Sequence, residues 1–281
     1  MIDLASLMGH YSGQAHRVVE SLEKAATLRL VDTLDEQAFL EELIEETKPK
    51  IREGRLRHYL IHTPFRYPPL KHGSRFGRRF EPSIFYAGAT LDSALAEAAY
   101  YSFYFMSRSV SPFESPIINH KTSFSVDLVS PKHVDLTQIR DEKIQQQLTH
   151  VSDYTYPQRI GTQMREEGCL SFSYHSARKP GGINIGVFTI SVIKDEPDNL
   201  LSWEVKQTPE QILFFCPTQP GLNASFSVTD FLVNGQLPRP GAQSYSTRNT
   251  PCQADSTPGE SHRFPAKQRF YPLRTRSAQQ A

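Results

Sequence analysis

Cysteine is scarce in this chain of 281 residues, and the three that occur are poorly placed for a structural role. Cys169, Cys216 and Cys252 lie far apart and form no CxxC pair, which argues against a disulfide framework and a cysteine-based zinc site. No run of about 18 apolar residues occurs, so no membrane-spanning helix is predicted. The first twenty residues lack a basic segment followed by an apolar one, and no secretory signal is expected. These absences favour a soluble, cytoplasmic protein.

Charge of one sign is not in excess either, since the net charge of +1 gives no reason to expect nucleic acid or an anionic membrane as partner. The charge is nevertheless unevenly distributed. Residues 236–281 are rich in Pro, Ser, Gln and Arg and carry seven Lys or Arg against two acids. A segment with so little aliphatic surface cannot offset its ordering entropy, so we predict a disordered basic tail there.

Common catalytic signatures are missing as well. The chain has no GxSxG, GxxxxGK[ST] or HExxH motif, and GGINIG at 181–186 lies between predicted strands instead of opening a helix. His58 and His62 fall in a predicted strand, where they are too far apart to share one metal easily. We therefore predict neither a dinucleotide-binding loop nor a metal centre.

The order of predicted elements indicates the fold class. Two helices, over 14–30 and 34–47, would form an N-terminal helical hairpin. Thr90 is placed to cap a helix that reaches about Met106, with Asp92 in its first turn. A further helix is predicted over 157–167, and strands are predicted over 57–65, 83–88, 122–129, 169–174, 183–190, 201–207, 211–216 and 225–231. Helices early and strands late, without βαβ alternation, favour an α+β fold.

A glycine-punctuated loop holds three arginines, Arg75, Arg78 and Arg79, just before the short strand that carries Tyr86. The planar fork of arginine binds phosphate through two hydrogen bonds, and the neighbouring glycines let the backbone approach a ligand closely. Phenylalanines alternate with the arginines, so an RNA-binding surface is an alternative, and a solvated basic loop is another.

Two later residues are candidates for the same site. Glu97 is predicted at the margin of the buried face of its helix, where a carboxylate can line a cleft, although an ordinary boundary glutamate fits the pattern too. Ser176 follows a strand and precedes a Gly–Gly turn, a place suited either to ligand contact or to satisfying the turn itself.

Together these stretches resemble the RES domain, a family named for its Arg, Glu and Ser residues, over about residues 57–215. The matching features are GSRF with Arg75, IFYAG with Tyr86, ALAE with Glu97 and YHSARKPGGIN with Ser176. The separation of eleven residues between Tyr86 and Glu97, on a strand and the following helix, is also that of the family.

RES proteins look like relatives of ADP-ribosyltransferases, so the resemblance implies a particular α+β fold. We expect a mixed or antiparallel split β-sheet core with flanking helices, ADP-ribosyltransferase-like, to which the N-terminal helical hairpin is added. The predicted regions are an N-terminal helical extension over 1–50, an NAD-cleaving RES domain over 51–235 and the disordered tail over 236–281.

The resemblance also implies an activity. It points to an NAD+-degrading toxin that cleaves the nicotinamide–ribose bond as a glycohydrolase or phosphorylase, within a toxin–antitoxin module whose Xre-type helix-turn-helix antitoxin is a separate protein. A protein ADP-ribosyltransferase is the alternative, and a non-catalytic RNA- or partner-binding protein is the second. NAD+ would be the substrate, with no other cofactor and no metal. Membrane binding and direct nucleic-acid binding are not expected, and a homodimer stays open.

Roles for the four signature residues follow from the same resemblance. Arg75 would clamp the pyrophosphate, and the Tyr86 ring would stack on nicotinamide or an adjacent part of NAD+. Glu97 would hold a ribose hydroxyl and stabilise the oxocarbenium-like charge that develops as nicotinamide leaves. Ser176 would orient the nicotinamide ribose.

The chain departs from the family at two places. The commoner pattern has Trp–Asn after the loop arginine and a Gly before the strand, where Phe76–Gly77 and Pro82–Ser83 stand here. The extra arginines leave the register open by a few residues, so Arg78 or Arg79 could take the role given to Arg75. A further family arginine near the first strand corresponds to Arg57 or Arg66.

Overall fold

The computed structural model describes residues 2–21, 31–47, 58–109, 115–194 and 196–241. These residues form an α+β fold with five α-helices and one mixed sheet of eight strands. The helices are α1 (Leu34–Thr47), α2 (Tyr59–Arg66), α3 (Leu91–Met106), α4 (Glu142–Leu148) and α5 (Thr155–Glu166). The strands are β1 (Met8–Glu20), β2 (Phe85–Gly88), β3 (Ile117–Asp135), β4 (Ser171–His175), β5 (Ile183–Val187), β6 (Asp198–Gln207), β7 (Gln211–Phe215) and β8 (Asn223–Ser227).

The sheet has two parts joined by the long strand β3. Its strand order is β1-β2-β5-β4-β3-β6-β7-β8, and β1 additionally pairs with β3. Strands β1, β2, β5, β4 and β3 therefore form a closed ring, completed by the single pair His16↔Gly88 between β1 and β2. The pairing of β3 with β4 is parallel, and the other pairings of the described strands are antiparallel. The predicted mixed sheet is confirmed.

Apolar side chains pack on both faces of β2, β5 and β4, because alternate residues of a strand point to opposite faces. On one face, Phe85 and Ile185 belong to a core that α2 covers. On the other face, Phe172 and Tyr174 pack against α5 and the loop before β2. A third cluster lies between α3 and strands β6 to β8, with the fully buried Trp203 among its members.

The prediction of a helix over 14–30 is wrong, and the prediction of an N-terminal helical hairpin is therefore wrong as well. Residues 8–20 form β1, which pairs with β3 from Met8↔Val134 to Glu20↔Lys121. Pairing of this length with a distant strand overrides local helix propensity. The second predicted helix is present as α1, and residues 22–30 lie outside the described part of the chain.

The prediction of a strand over 57–65 is also wrong, because these residues form α2. The side chain of His58 caps its first turn, where Nδ1 accepts a hydrogen bond from the backbone N–H of Leu60 at 3.3 Å. Ile61 is fully buried and Phe65, one turn later, packs against the same core, a spacing that suits a helix. The β-branched and aromatic composition of the segment had favoured a strand.

The strand predicted over 225–231 is only partly right, because β8 ends at Ser227 and Val228–Phe231 form a 3-10 helix. The strand predicted over 122–129 is the middle of the much longer β3, and the strand predicted over 183–190 ends at Val187. The remaining predicted elements are confirmed, with small changes at their ends. Thr90 caps α3 by accepting the backbone N–H of Ser93 at 3.2 Å, and the helix ends at Met106 as predicted. Helix α4 was not predicted. Among the described residues, no helix is long and apolar enough to cross a bilayer. Of the tail predicted over 236–281, residues 236–241 lie within the described part of the chain, where the Pro238 carbonyl accepts the Tyr100 hydroxyl at 2.6 Å. Residues 242–281 and Arg57 lie outside it.

Candidate active site

Three neighbouring strands provide the floor of the site. The register pairs Gly88 of β2 with Asn184 of β5, and Asn184 with Tyr174 of β4. Tyr86 pairs with Gly186, two residues along β5 from Asn184, and so its side chain lies on the same face. Tyr86, Asn184 and Tyr174 therefore share one face of the sheet.

Helix α3 is held against this floor at its first turn. A Cβ on Gly88 would lie 2.7 Å from the backbone nitrogen of Ala94 and 2.8 Å from the carbonyl oxygen of Thr90. Only glycine at the end of β2 permits this approach, which places the second turn of α3, with Glu97, over the strands. Glu97 is partly buried, as its position on the helix predicts.

The Glu97 carboxylate receives two hydrogen bonds from residues that follow it by 79 and 87 positions in the chain. The Ser176 hydroxyl donates to Oε1 at 3.0 Å, and the Asn184 side-chain amide donates to the same oxygen at 2.8 Å. A carboxylate fixed by two donors presents its other oxygen in a defined direction. Glu97 and Ser176, both predicted from sequence, are thus in direct contact.

All three hydrogen-bonding positions of the Ser176 hydroxyl are occupied by other groups of the protein. It donates to Glu97 and accepts the backbone N–H groups of Arg178 at 3.1 Å and Lys179 at 3.2 Å. The turn that follows is closed by the bond from the Ser176 N–H to the Gly182 carbonyl at 2.8 Å. A hydroxyl has one donor and two acceptor sites, and here all of them are occupied. The serine therefore fixes the position of the carboxylate relative to the turn.

The three arginines of the loop before β2 (the arginine loop, residues 73–80) lie in different environments. Arg75 is buried with 9% of its surface exposed, Arg78 is half-buried and Arg79 is exposed. The Arg75 guanidinium donates from Nη1 to the carbonyls of Leu148 at 3.2 Å and His150 at 2.7 Å.

Helix α5 holds this loop in place. Gln158 donates to the carbonyls of His72 at 2.9 Å and Ser74 at 3.0 Å. A Cβ on Gly161 would lie 1.8 Å from the carbonyl oxygen of Phe76, so only glycine allows the loop to pass over α5 at this point.

Tyr86 is bound to the same loop through its hydroxyl. The hydroxyl accepts the backbone N–H of Phe76 at 2.9 Å and shares a second hydrogen bond of 2.9 Å with the Ser74 hydroxyl. Burial raises the pKa of Tyr86 to about 12, although these bonds and the Arg75 charge act in the opposite direction. The phenol therefore anchors the loop to the sheet, and its ring stands on the floor of the site.

Two guanidinium groups hold the segment between α4 and α5, residues 149–154. Arg75 binds carbonyls at its start, and Arg178 donates from Nη2 to the Val151 carbonyl at 2.8 Å. Each guanidinium also lies over an aromatic ring, with Cζ of Arg75 4.7 Å from the centre of Tyr154 and Cζ of Arg178 3.6 Å from that of Tyr100. Two positive charges are thereby kept beside the floor in a largely buried setting.

Several residues of this arrangement were not among the predicted site residues. Burial raises the pKa of Tyr174 well above its usual range, with smaller contributions from Tyr86 and Glu97, while the Arg75 charge lowers it. These groups are therefore close enough to interact electrostatically. Asn184 was missed too, although its place two residues after the Gly–Gly turn of the Ser176 stretch was a signal that could have found it.

A cavity of about 530 Å³ opens beside Ser176, between α4 and the turn from β4 to β5. Arg178 and Lys179 line one side of it, and Arg140 and Gln145 line the α4 side. Lys179 also forms an ion pair with Asp92 of α3. The cavity therefore reaches Ser176, and its lining carries the carboxylates of Glu142 and Asp230 beside these cations.

Four of the predicted residues lie at the site, and one does not. Glu97 and Ser176 are in contact, and Tyr86 and Arg75 lie close enough to Tyr174 to shift its pKa. Arg66 ends α2, a helix whose apolar residues pack against the core on the other face of the sheet.

The comparison with family models matches the RES domain over residues 51–204. The chain belongs to the RES domain family. Among solved structures, it is similar to a chain in the crystal structure of the M. tuberculosis MbcT-MbcA toxin-antitoxin complex, at 10% identity and a TM-score of 0.38, over 72% of this chain and 87% of that one. A comparison with curated proteins finds no match.

Proposed function

We propose that this RES protein is an NAD+-degrading enzyme that cleaves the bond between nicotinamide and ribose. The observation that carries the proposal is the Glu97 carboxylate, held on one oxygen by Ser176 and Asn184 above a floor of tyrosines. A carboxylate fixed in this way is suited to stabilising the positive charge that develops on ribose as nicotinamide departs. The nicotinamide ring carries the positive charge in NAD+ and departs as a neutral molecule with the bonding electron pair, which leaves the charge on the ribose. Its departure therefore needs no proton from the protein.

The other side chains supply binding. The Tyr86 ring offers a face for the nicotinamide ring or a neighbouring part of the substrate. The buried charges of Arg75 and Arg178 favour the pyrophosphate, and the half-buried Arg78 is a third candidate. Ser176 acts through Glu97, because its hydroxyl bonds are already taken. Arg66 is the least favoured, since its helix packs on the other face of the sheet.

Membership of the RES family supports the proposal that this enzyme is the toxin of a toxin–antitoxin module, held inactive by a separate Xre-type helix-turn-helix protein. Its substrate would place it in the cytoplasm. The ADP-ribosyltransferase-like description of the fold is part of this proposal. Transfer of ADP-ribose to a protein is the alternative reaction, since it breaks the same nicotinamide–ribose bond.

The RNA-binding alternative is weakened by the arginine loop. An RNA-binding surface would need the alternating Arg and Phe side chains of this loop exposed together. Phe76 is fully buried and Arg75 is engaged by backbone carbonyls, so only part of the pattern reaches the surface.

The test is nicotinamide release from NAD+ by the purified chain, compared with Glu97→Gln and with the exposed control Glu204→Gln. We expect the first variant to lose on the order of 100-fold or more in rate and the second to retain it. Running the assay with and without inorganic phosphate, and with labelled NAD+ and cell protein, identifies whether water, phosphate or a protein takes the ADP-ribose. A folded wild-type chain that releases no nicotinamide under any of these conditions would overturn the proposal.

A further inference from the structure

Asn184 carries a buried polar atom without a partner. The residue is 3% exposed and lies in the middle strand of the floor, paired with Gly88 on one side and Tyr174 on the other. Its Oδ1 is one of the few buried side-chain oxygens and nitrogens of the described residues that lack a hydrogen bond. A buried carboxamide oxygen of this kind is costly and calls for an explanation.

The orientation of the Asn184 amide follows from its neighbour. Its nitrogen lies 2.8 Å from Oε1 of Glu97, and an ionised carboxylate can only accept hydrogen bonds. The donor Nδ2 must therefore face Glu97, which leaves Oδ1 as the unpaired acceptor. A flipped amide would bring two acceptors together.

Glu97 presents a second acceptor close to the first. Both of its hydrogen bonds with described residues fall on Oε1, so Oε2 is left for a ligand. Because the Asn184 amide is hydrogen-bonded to the same carboxylate, its Oδ1 and Glu97 Oε2 are acceptors on two side chains in direct contact. A ligand that meets both needs two donors close together, which is what the vicinal hydroxyls of a ribose offer.

We propose that Asn184 both positions Glu97 and recognises the substrate: Nδ2 fixes Oε1 of Glu97, and Oδ1 accepts a hydrogen bond from one hydroxyl of the nicotinamide-linked ribose, whose neighbouring hydroxyl binds Oε2 of Glu97. The inference rests on the proposed function, since it names how that site would read its substrate. It makes Asn184 a determinant of selectivity for an intact ribose diol. A residue that only supported Glu97 would affect all substrates of the site alike.

The test combines a change in the enzyme with a change in the substrate. Nicotinamide release is measured for wild type and Asn184→Leu, each with NAD+ and with analogues that lack the 2′ or the 3′ hydroxyl of the nicotinamide ribose. The intrinsic reactivity of each analogue cancels in the ratio between the two enzymes. We expect the leucine variant to lose about tenfold or more of the wild-type preference for NAD+ over one of the two analogues.

A second variant covers the case in which leucine disturbs the fold. Asn184→Asp has the same shape, keeps the acceptor and replaces the donor by a second carboxylate beside Glu97. We expect the acidic limb of its pH–rate profile to move to higher pH, because two adjacent carboxylates share a proton more readily than one. We also expect it to retain more of the diol preference than the leucine variant does.

The outcomes are distinguishable. Wild type that releases no nicotinamide overturns the proposed function itself. Active wild type, together with folded Asn184 variants that show the same analogue ratios as wild type, overturns the role of Oδ1 and leaves the proposed function standing. A preference that depends on the carboxamide of nicotinamide, tested with the nicotinic acid analogue of NAD+, would assign Oδ1 to that group and overturn the diol.

Discussion

The Ser176 hydroxyl and the Glu97 carboxylate lie 3.0 Å apart, although 79 residues separate them in the chain. The serine directly follows β4, and its hydroxyl also accepts two backbone N–H groups of the turn that begins there. The hydrogen bond therefore joins the helix that carries the carboxylate to the turn that borders the cavity. Ser176 influences any reaction at this site by controlling where the carboxylate points.

Replacing this serine tests that role directly. We expect Ser176→Ala to lower kcat for nicotinamide release by roughly 10- to 100-fold, because Glu97 loses one of two donors and becomes less well placed. Stability falls by about 1 kcal/mol through the lost bonds in the turn. Steady-state kinetics and urea unfolding measure the two effects, and Ser12→Ala, at an exposed position of β1, is the matched control. Unchanged kcat in a folded Ser176→Ala chain would contradict the role.

The close passage of the arginine loop over α5 gives a second prediction. We expect Gly161→Ala to destabilise the protein by about 1–3 kcal/mol, because the added Cβ would lie 1.8 Å from the Phe76 carbonyl oxygen and the loop must shift. Gly9→Ala is the control, since a Cβ there meets no atom within 4 Å. Thermal or urea unfolding compares the two variants. Equal stability in both would show that the loop yields freely and that its position does not depend on Gly161.

The three loop arginines are expected to differ in what their loss affects. Arg75→Met leaves the Leu148 and His150 carbonyls without their donor, and we expect it to lower stability by about 1–3 kcal/mol and to weaken NAD+ binding as well. Arg79→Met, at an exposed site, should stay within about 0.5 kcal/mol of wild type. Melting temperatures and KM values measure both effects. If Arg78→Met raises KM without changing Tm while Arg75→Met changes only Tm, the pyrophosphate contact belongs to Arg78.

A buried polar chain outside the site predicts a dependence of stability on pH. The Ser173 hydroxyl donates to Asp135 at 2.6 Å, so it accepts from Nε2–H of His133 at 3.2 Å. Nδ1 of a neutral ring accepts the Ser171 hydroxyl at 2.8 Å, whereas Nδ1–H of a protonated ring would donate and leave the buried Ser171 hydroxyl without this acceptor. The arrangement therefore favours a neutral imidazole. Burial lowers the pKa of His133 to about 4, against the opposing effect of the Asp135 charge.

A histidine whose pKa is depressed by folding stabilises the protein fully above its unfolded pKa, near 6.5, and loses this contribution as pH falls through its folded value. We expect the unfolding free energy to fall by about 1.4 kcal/mol per pH unit between these values, about 3 kcal/mol in total. In His133→Gln the dependence should be smaller by this amount, and the part that comes from other groups, such as His16, whose pKa burial also lowers, should remain. His10→Gln, at an exposed position, should keep the full dependence. Urea unfolding at pH 7, 5.5 and 4.5 measures it, and parallel slopes in all three proteins would contradict the assignment.

Local signals explain why part of the fold could be predicted. The start of α3 could be predicted because the Thr90 side chain caps it, and the alternation of β3 is visible within the segment. Strand β1 could not, because what makes it a strand is a partner more than a hundred residues later in the chain. For α2, composition pointed to a strand, and the packing of Ile61 and Phe65 on one core decided otherwise.

At the candidate site, too, the residue types could be predicted from local patterns, whereas their contacts depend on the tertiary fold. Glu97 and Ser176 could be named from the order and spacing of motifs, but their contact depends on how β4 is placed against α3. Residue type suggested a phosphate contact for Arg75, whereas its direction is determined by the carbonyls at the end of α4, which no local pattern reveals. The place of Asn184 after the Gly–Gly turn was a signal in the sequence, but its contact with the Glu97 carboxylate becomes visible only in the fold.

The ring of strands links the site to the order in which the ribosome makes the chain. Strand β1 emerges first but pairs with β3, and the ring is complete only once β4 and β5 have joined β2 to β3. A nascent chain that stops short of Ser176 carries Glu97 without either of its hydrogen-bond partners. Under the proposed function, truncated translation products would leave cellular NAD+ intact, and toxicity would begin only when synthesis has passed β5.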